Sequence, residues 1–170
     1  ADIFIQKPLI PQIVKKAVRD GFQRQEQGKI KISIPAEFSA AGYSLPFSAV
    51  GIAAGTGGPA TIVELLRTLT IDERAAFIIV QHGPDWMIET FAQNIGNLIP
   101  GGVTIPTNNM KISPGRVYLA PGDKHLQIDG QNRVFRLEES PHFNFVRPSA
   151  DVLFASMAEV FGIKSIGVVL

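Results

Sequence analysis

The segment VGIAAGTGGPAT, Val50 to Thr61, limits what the chain can fold into more than any other. A short apolar run, Ala49-Val50-Gly51-Ile52, enters a turn of small residues, and from Pro59 onward Ile62, Val63, Leu65, Leu66 and Leu69 recur at helical spacing. Strand, tight turn and helix in immediate succession form the building unit of a parallel sheet. Such a turn can cradle an anion on free backbone N–H groups, or lift a nucleophile out of the sheet when Ser or Cys stands at its apex. Here the apex holds Gly55.

The pattern continues downstream. A strand from Phe47 to Ile52, a helix from Pro59 to Leu69, a strand from Phe77 to Gln81 and a helix from Asp85 to Leu98 follow in order. This βαβα order predicts an α/β fold, a doubly wound, mainly parallel sheet with flanking helices and right-handed crossovers. Val103-Thr104-Ile105, Arg116 to Leu119, His125 to Ile128 and Arg133 to Leu137 are shorter, and Asp129-Gly130 between the last two is a hairpin signal. They predict a small antiparallel flap. Pro148-Ser149 opens a further helix, with Val152, Leu153, Met157, Val160 and Phe161 on one face and Gly162 as its stop, before a last strand at Ile166.

Upstream, Leu9, Ile10, Ile13, Val14, Ala17, Val18 and Phe22 predict an amphipathic helix with no local partner for its apolar face. Residues 25–46 are polar, small and loosely patterned, as in an interdomain linker. The body is then expected over 47–170. The chain starts at Ala1 inside an apparent strand, Asp2 to Ile5, and stops in a β-rich run at Leu170, so both ends read as cut.

Composition excludes several classes. With 45% hydrophobic and 18% charged residues the chain has the makings of a buried core, while a net charge of +1 with scattered basic residues argues against nucleic acid. The absence of cysteine removes disulfides, thiolate metal sites and a cysteine nucleophile. No apolar run is long enough for membrane insertion and no signal-peptide pattern opens the chain, so a cytoplasmic protein is expected.

Ligands of an open parallel sheet bind at the carboxyl ends of its strands. Gly55-Thr56-Gly57-Gly58 leaves the end of the first strand, and His82 follows the end of the second. An imidazole, with an unperturbed pKa of about 6.5, suits general-base work beside a hydroxyl. The competing reading is that His82 caps its strand or bonds a loop carbonyl. A dinucleotide site would require an acidic residue where Gln81-His82 stands, and the glycine spacing is also wrong for it, so no cofactor is expected. His125, in a turn between short strands, is more readily a strand-face residue than a catalytic one. His142 and Arg147 read as loop residues, and the three histidines lack metal-ligand spacing.

Taken together, GTGGP (Gly55 to Pro59), IIVQHGP (Ile78 to Pro84), SPGRVYLAPGDKHL (Ser113 to Leu126), RPSADVLFASMA (Arg147 to Ala158) and IGVVL (Ile166 to Leu170) resemble the CheB-type chemotaxis response regulators. These are protein-glutamate methylesterases with an N-terminal receiver domain. The resemblance implies a methyl-accepting chemoreceptor as partner, a histidine kinase acting through the receiver domain, and hydrolysis of glutamyl methyl esters, with glutamine deamidation, by a Ser-His-Asp triad and an oxyanion hole. It implies that residues 1–24 end a receiver domain, with Lys7-Pro8 before its last helix. His82 matches the family histidine, Gly55 stands where the family has its serine, and the aspartate would lie beyond Leu170. On this pattern the chain is expected to be inactive as an esterase, with Thr56 a weak surrogate nucleophile. The alternative to an esterase with some compensating group is a silent homologue that binds receptor or kinase segments as a phosphorylation-gated adaptor.

Overall fold

The computed structural model describes residue 19 and residues 45–170. Expectations about the opening strand, the amphipathic helix and the linker lie outside these residues, except that Arg19 is helical and exposed and that Leu45, only 4% exposed, already packs into the body.

The chain runs β1 (Ser48–Ala54), α1 (Gly58–Thr68), β2 (Ala75–Gln81), α2 (Asp85–Gly96), β3 (Val103–Thr104), β4 (Val117–Leu119), β5 (His125–Asp129), β6 (Val134–Glu138), α3 (Ala150–Phe161) and β7 (Ser165–Val169). A five-stranded sheet has the order β3-β4-β2-β1-β7, and every pairing in it is parallel. β5 and β6 form a separate antiparallel pair. The fold is therefore the expected doubly wound α/β arrangement, with the antiparallel part confined to one hairpin.

β1 and β2 are buried at every position, which their unbroken apolar sequences SAVGIAA and AAFIIVQ anticipate for strands covered on both faces. Alternate residues feed two cores. Val50, Ile52, Phe77 and Ile79 meet Ile62, Leu65, Leu66, Ile88, Phe91 and Ile95 of α1 and α2 on one face. Ala49, Ala76, Ile78, Val80 and Tyr118 meet α3 and the hairpin on the other, through Leu153, Met157, Val160, Leu126 and Phe135. The rings of Tyr118 and Phe135 touch edge-on at 4.7 Å between centroids. A Cβ at Gly51 would lie 2.6 Å from Phe154 and 2.7 Å from Met157, so glycine in β1 lets α3 settle against the sheet.

Two of the short strands depart from the expected flap. β3 and β4 join the parallel sheet, with Val103 opposite Val117 and Phe77 opposite Val117 on the other side. The connection over 105–116 carries the chain back across the sheet before β4 starts, and a return of about a dozen residues permits parallel pairing without a helix. The hairpin lies where Asp129-Gly130 indicated, but it is not a two-residue turn. The Asp129 carboxylate accepts hydrogen bonds from the backbone N–H of Gln131 (2.9 Å) and Asn132 (3.1 Å) and the Asn132 amide (2.8 Å), while Arg133 takes a left-handed φ of 59°.

These donors have a measurable consequence. The Asn132 side chain and backbone N–H, with the Arg136 guanidinium, hold the Asp129 carboxyl below its usual 3.8 at about 2. Because the folded value is depressed, the stabilisation is complete above the unfolded value near 4 and is lost as pH falls through about 2. A carboxyl-carbon NMR titration should place the Asp129 midpoint near 2, and a midpoint at or above 3.8 would mean that the hairpin does not hold this carboxylate.

Among the described residues, no helix is long and apolar enough to cross a membrane.

Candidate active site

Parallel pairing of β1 with β2 sets Ala54 opposite Gln81, so the residues that follow, Gly55 and His82, leave the sheet side by side at its carboxyl edge. The N–H of His82 donates to the carbonyl of Ala54 at 3.1 Å, extending the ladder one residue past the strand. Neighbouring strands lie about 4.8 Å apart, which puts the two segments within side-chain reach. The expectation that both occupy one edge of the sheet is met.

The Gly55 to Gly58 segment is a closed turn. The N–H of Gly58 donates to the carbonyl of Gly55 at 2.8 Å, and Gly57, with φ 82° and ψ −7°, has the values of the third residue of a type II turn. Gly57 is glycine for its left-handed φ. Gly58 is glycine for space, because a Cβ there would lie 2.7 Å from the Cβ of Ala54 and collide with the amide of Gln81. Gly55 differs from both: its φ is not left-handed, and a Cβ built on it meets nothing within 4 Å. The position is open to a side chain that the chain does not supply.

His82 is exposed, and its ring makes no hydrogen bond among the described residues, so the reading that it merely bonds a loop carbonyl finds no support. Thr56 is exposed as the second residue of the turn, and no hydrogen bond of its hydroxyl is present among the described residues. α1 begins immediately after the turn with Gly57 as its N-cap and Pro59 in its first turn, so its N-terminus faces the same edge.

The structure separates the other histidines from this pair. His125 is the first residue of β5, 1% exposed, and both its nitrogens are engaged. Nδ1 accepts the N–H of Ser149 at 3.1 Å, which leaves Nε2 to donate to the carbonyl of Pro141 at 3.1 Å. It is a joint between the hairpin, the 141–149 loop and α3, in keeping with a structural residue. His142 lies exposed in that loop. Arg147 donates to the carbonyls of Glu139 (3.1 Å) and Ser140 (2.9 Å), closing the same loop.

Two residues at this edge were not singled out from the sequence. Asp85, at the start of α2, accepts the N–H of Gly122 at 3.0 Å and pins the 120–123 turn against Pro84 and Asp85. Gln81 is buried at 2% exposure, and its side chain reaches back to the turn. A lone glutamine ending an apolar strand carries no periodic signal. Its one flag is a polar residue at the end of a strand buried on both faces.

The CheB methylesterase family model matches residues 50–170. The protein-glutamate methylesterase/protein-glutamine glutaminase of Escherichia coli O6:K15:H31 (strain 536 / UPEC) is 30% identical over 161 residues, 94% of this chain and 46% of that protein. The enzyme of the group 3 operon of Rhizobium meliloti (strain 1021), which bears the same description, is 37% identical over 125 residues, 74% of this chain and 35% of that protein. The chain thus spans less than half the length of these relatives. Among solved structures, the CheB methylesterase catalytic domain of Thermotoga maritima matches with 30% identity and a TM-score of 0.68, over 74% of this chain and 67% of that one.

Proposed function

The chain belongs to the CheB methylesterase family, and from that premise we propose that it keeps the receptor-binding edge of a chemotaxis protein-glutamate methylesterase without the hydroxyl that would open the ester. Its role is then that of a silent homologue, which binds a methylated chemoreceptor segment and answers to a histidine kinase through a receiver domain. Residues 1–24 would end that receiver and 25–46 would link it to the body. The alignment over 161 residues, longer than the 50–170 match to the family domain, supports the reading of the upstream part.

The observation that carries this proposal is Gly55. The turn around it is closed, its neighbours Gly57 and Gly58 meet conformational and packing demands, and His82 stands alongside with a ring that makes no hydrogen bond among the described residues. What is missing is the oxygen that would attack the ester carbonyl, and loss of a triad nucleophile typically lowers kcat by about 10⁶. In the chain as it stands, His82 has no hydroxyl at residue 55 from which to take a proton.

The full-length protein is expected to bind a methylated receptor cytoplasmic fragment in a titration calorimeter while releasing no more methanol than its His82→Ala variant. Absence of binding would remove the adaptor role. A second reading has one observation in its favour, the exposure of Thr56 beside the turn. Methanol release that disappears in both Thr56→Ala and His82→Ala would establish a relocated nucleophile and an active esterase.

A further inference from the structure

Beyond the ladder bond from His82 to Ala54, the two halves of the candidate site are joined by one buried amide. The Gln81 Nε2 donates to the carbonyl of Gly55 at 3.1 Å and to the carbonyl of His82 at 3.0 Å. Among the described residues, no other side chain bonds to both segments. The bond from Gly58 to Gly55 closes the turn on itself, and the bond from His82 to Ala54 holds the histidine segment to the last residue before the turn; the Gln81 amide adds the side-chain tie that reaches the turn residue Gly55 itself.

Chemistry fixes which way the amide points. Two carbonyl oxygens are acceptors, so only the NH₂ end can face them, and a flipped amide would set three acceptors against one another. Oε1 is consequently turned toward Gly58, where it is buried without a hydrogen-bond partner among the described residues. A buried unpaired acceptor is unfavourable, and an apolar side chain of the same length would not incur that cost. The arrangement also requires the glycine at 58, whose absent side chain leaves the room for the amide.

We infer that Gln81 is a positioning residue, which sets residue 55 at a fixed separation from His82. This rests on the reading of residues 55 and 82 as nucleophile position and base. With a serine at 55, the amide holds that hydroxyl within reach of the imidazole; in the Gly55 chain it keeps the same edge in shape for a bound ester.

The test uses Gln81→Met in the full-length protein, which fills the volume but cannot donate, with Gln81→Asn as a second, shorter amide should the methionine variant fold poorly. In the unaltered Gly55 background, amide exchange at Gly58 and His82 should quicken about tenfold, as expected for one lost hydrogen bond. Exchange at Ile52 and Ile79 in the strands should stay the same. Unchanged exchange at Gly58 and His82 in a folded variant would overturn the inference. In a Gly55→Ser background, Gln81→Met should lower kcat about 10²-fold at constant KM, the size expected for a misplaced reacting group. A raised KM with kcat intact would instead make Gln81 a binding residue and overturn the positioning role. If Gly55→Ser is itself inactive, the nucleophile reading fails, while the exchange measurement still decides the role of Gln81.

Discussion

Gly55→Ser in the full-length protein is expected to produce methanol from methylated receptor at a rate several orders of magnitude above the unsubstituted chain, with about 10⁶ as the ceiling set by the worth of a triad nucleophile. Three features of the turn support so large a gain. A Cβ at residue 55 meets nothing within 4 Å, the backbone there is outside the left-handed region, and the turn is closed by the bond from Gly58 to Gly55 at 2.8 Å. A serine therefore needs no rearrangement to fit. Its oxygen would bond to the glutamyl carbonyl carbon as its proton passes to His82. The bond to the methoxy group then breaks, methanol leaves with that proton, and water releases the glutamate. The decisive comparison is Gly or Ser at residue 55 crossed with His or Ala at 82: only the Ser–His combination should be active. Activity in the Ser–Ala protein would show that His82 is not the base. No activity in the Ser–His protein would show that the turn does not present the hydroxyl to His82.

The second large effect is on stability. His125→Ala should destabilise the protein by about 4 kcal/mol, because it leaves a cavity where a fully buried side chain stood and strands the N–H of Ser149 and the carbonyl of Pro141 without partners. Asparagine and glutamine dissect the effect. Asn places an acceptor near the position of Nδ1 and should keep the Ser149 bond; Gln places a donor near the position of Nε2 and should keep the Pro141 bond. Each should therefore lose less than alanine in urea denaturation. A loss of about 1 kcal/mol or less for His125→Ala would mean that neither bond matters to the joint.

The legible parts of the molecule were those with a local cause. The apolar spacing of α1, α2 and α3, the unbroken apolar runs of β1 and β2 and the glycines of the turn each act within a few residues, and the elements lie within a few residues of where the spacing put them. The meeting of Gly55 and His82 was equally legible, since two strands joined by one helix are parallel and end at the same edge. β3 and β4 were misplaced into the flap because strand length says nothing about direction, which the 105–116 return decided. The hairpin was located correctly through Asp129-Gly130, but its closure by a carboxylate that collects donors from Gln131, Asn132 and Arg136 depends on where those side chains fold back.

The sequence by itself determined that this is a doubly wound α/β chain of the CheB methylesterase family whose turn lacks a hydroxyl at residue 55, because periodicity, glycine placement and residue identity are properties of the chain. The tertiary structure alone decided that residue 55 is sterically open, that His125 is a buried joint while His82 is exposed, and that Gln81 ties the turn to the histidine segment. The physical reason is that burial and hydrogen-bond partnership are made between segments far apart in sequence. His125 acquires its role from Pro141 and Ser149, and Gln81 acquires its role from Gly55, none of which any local pattern connects.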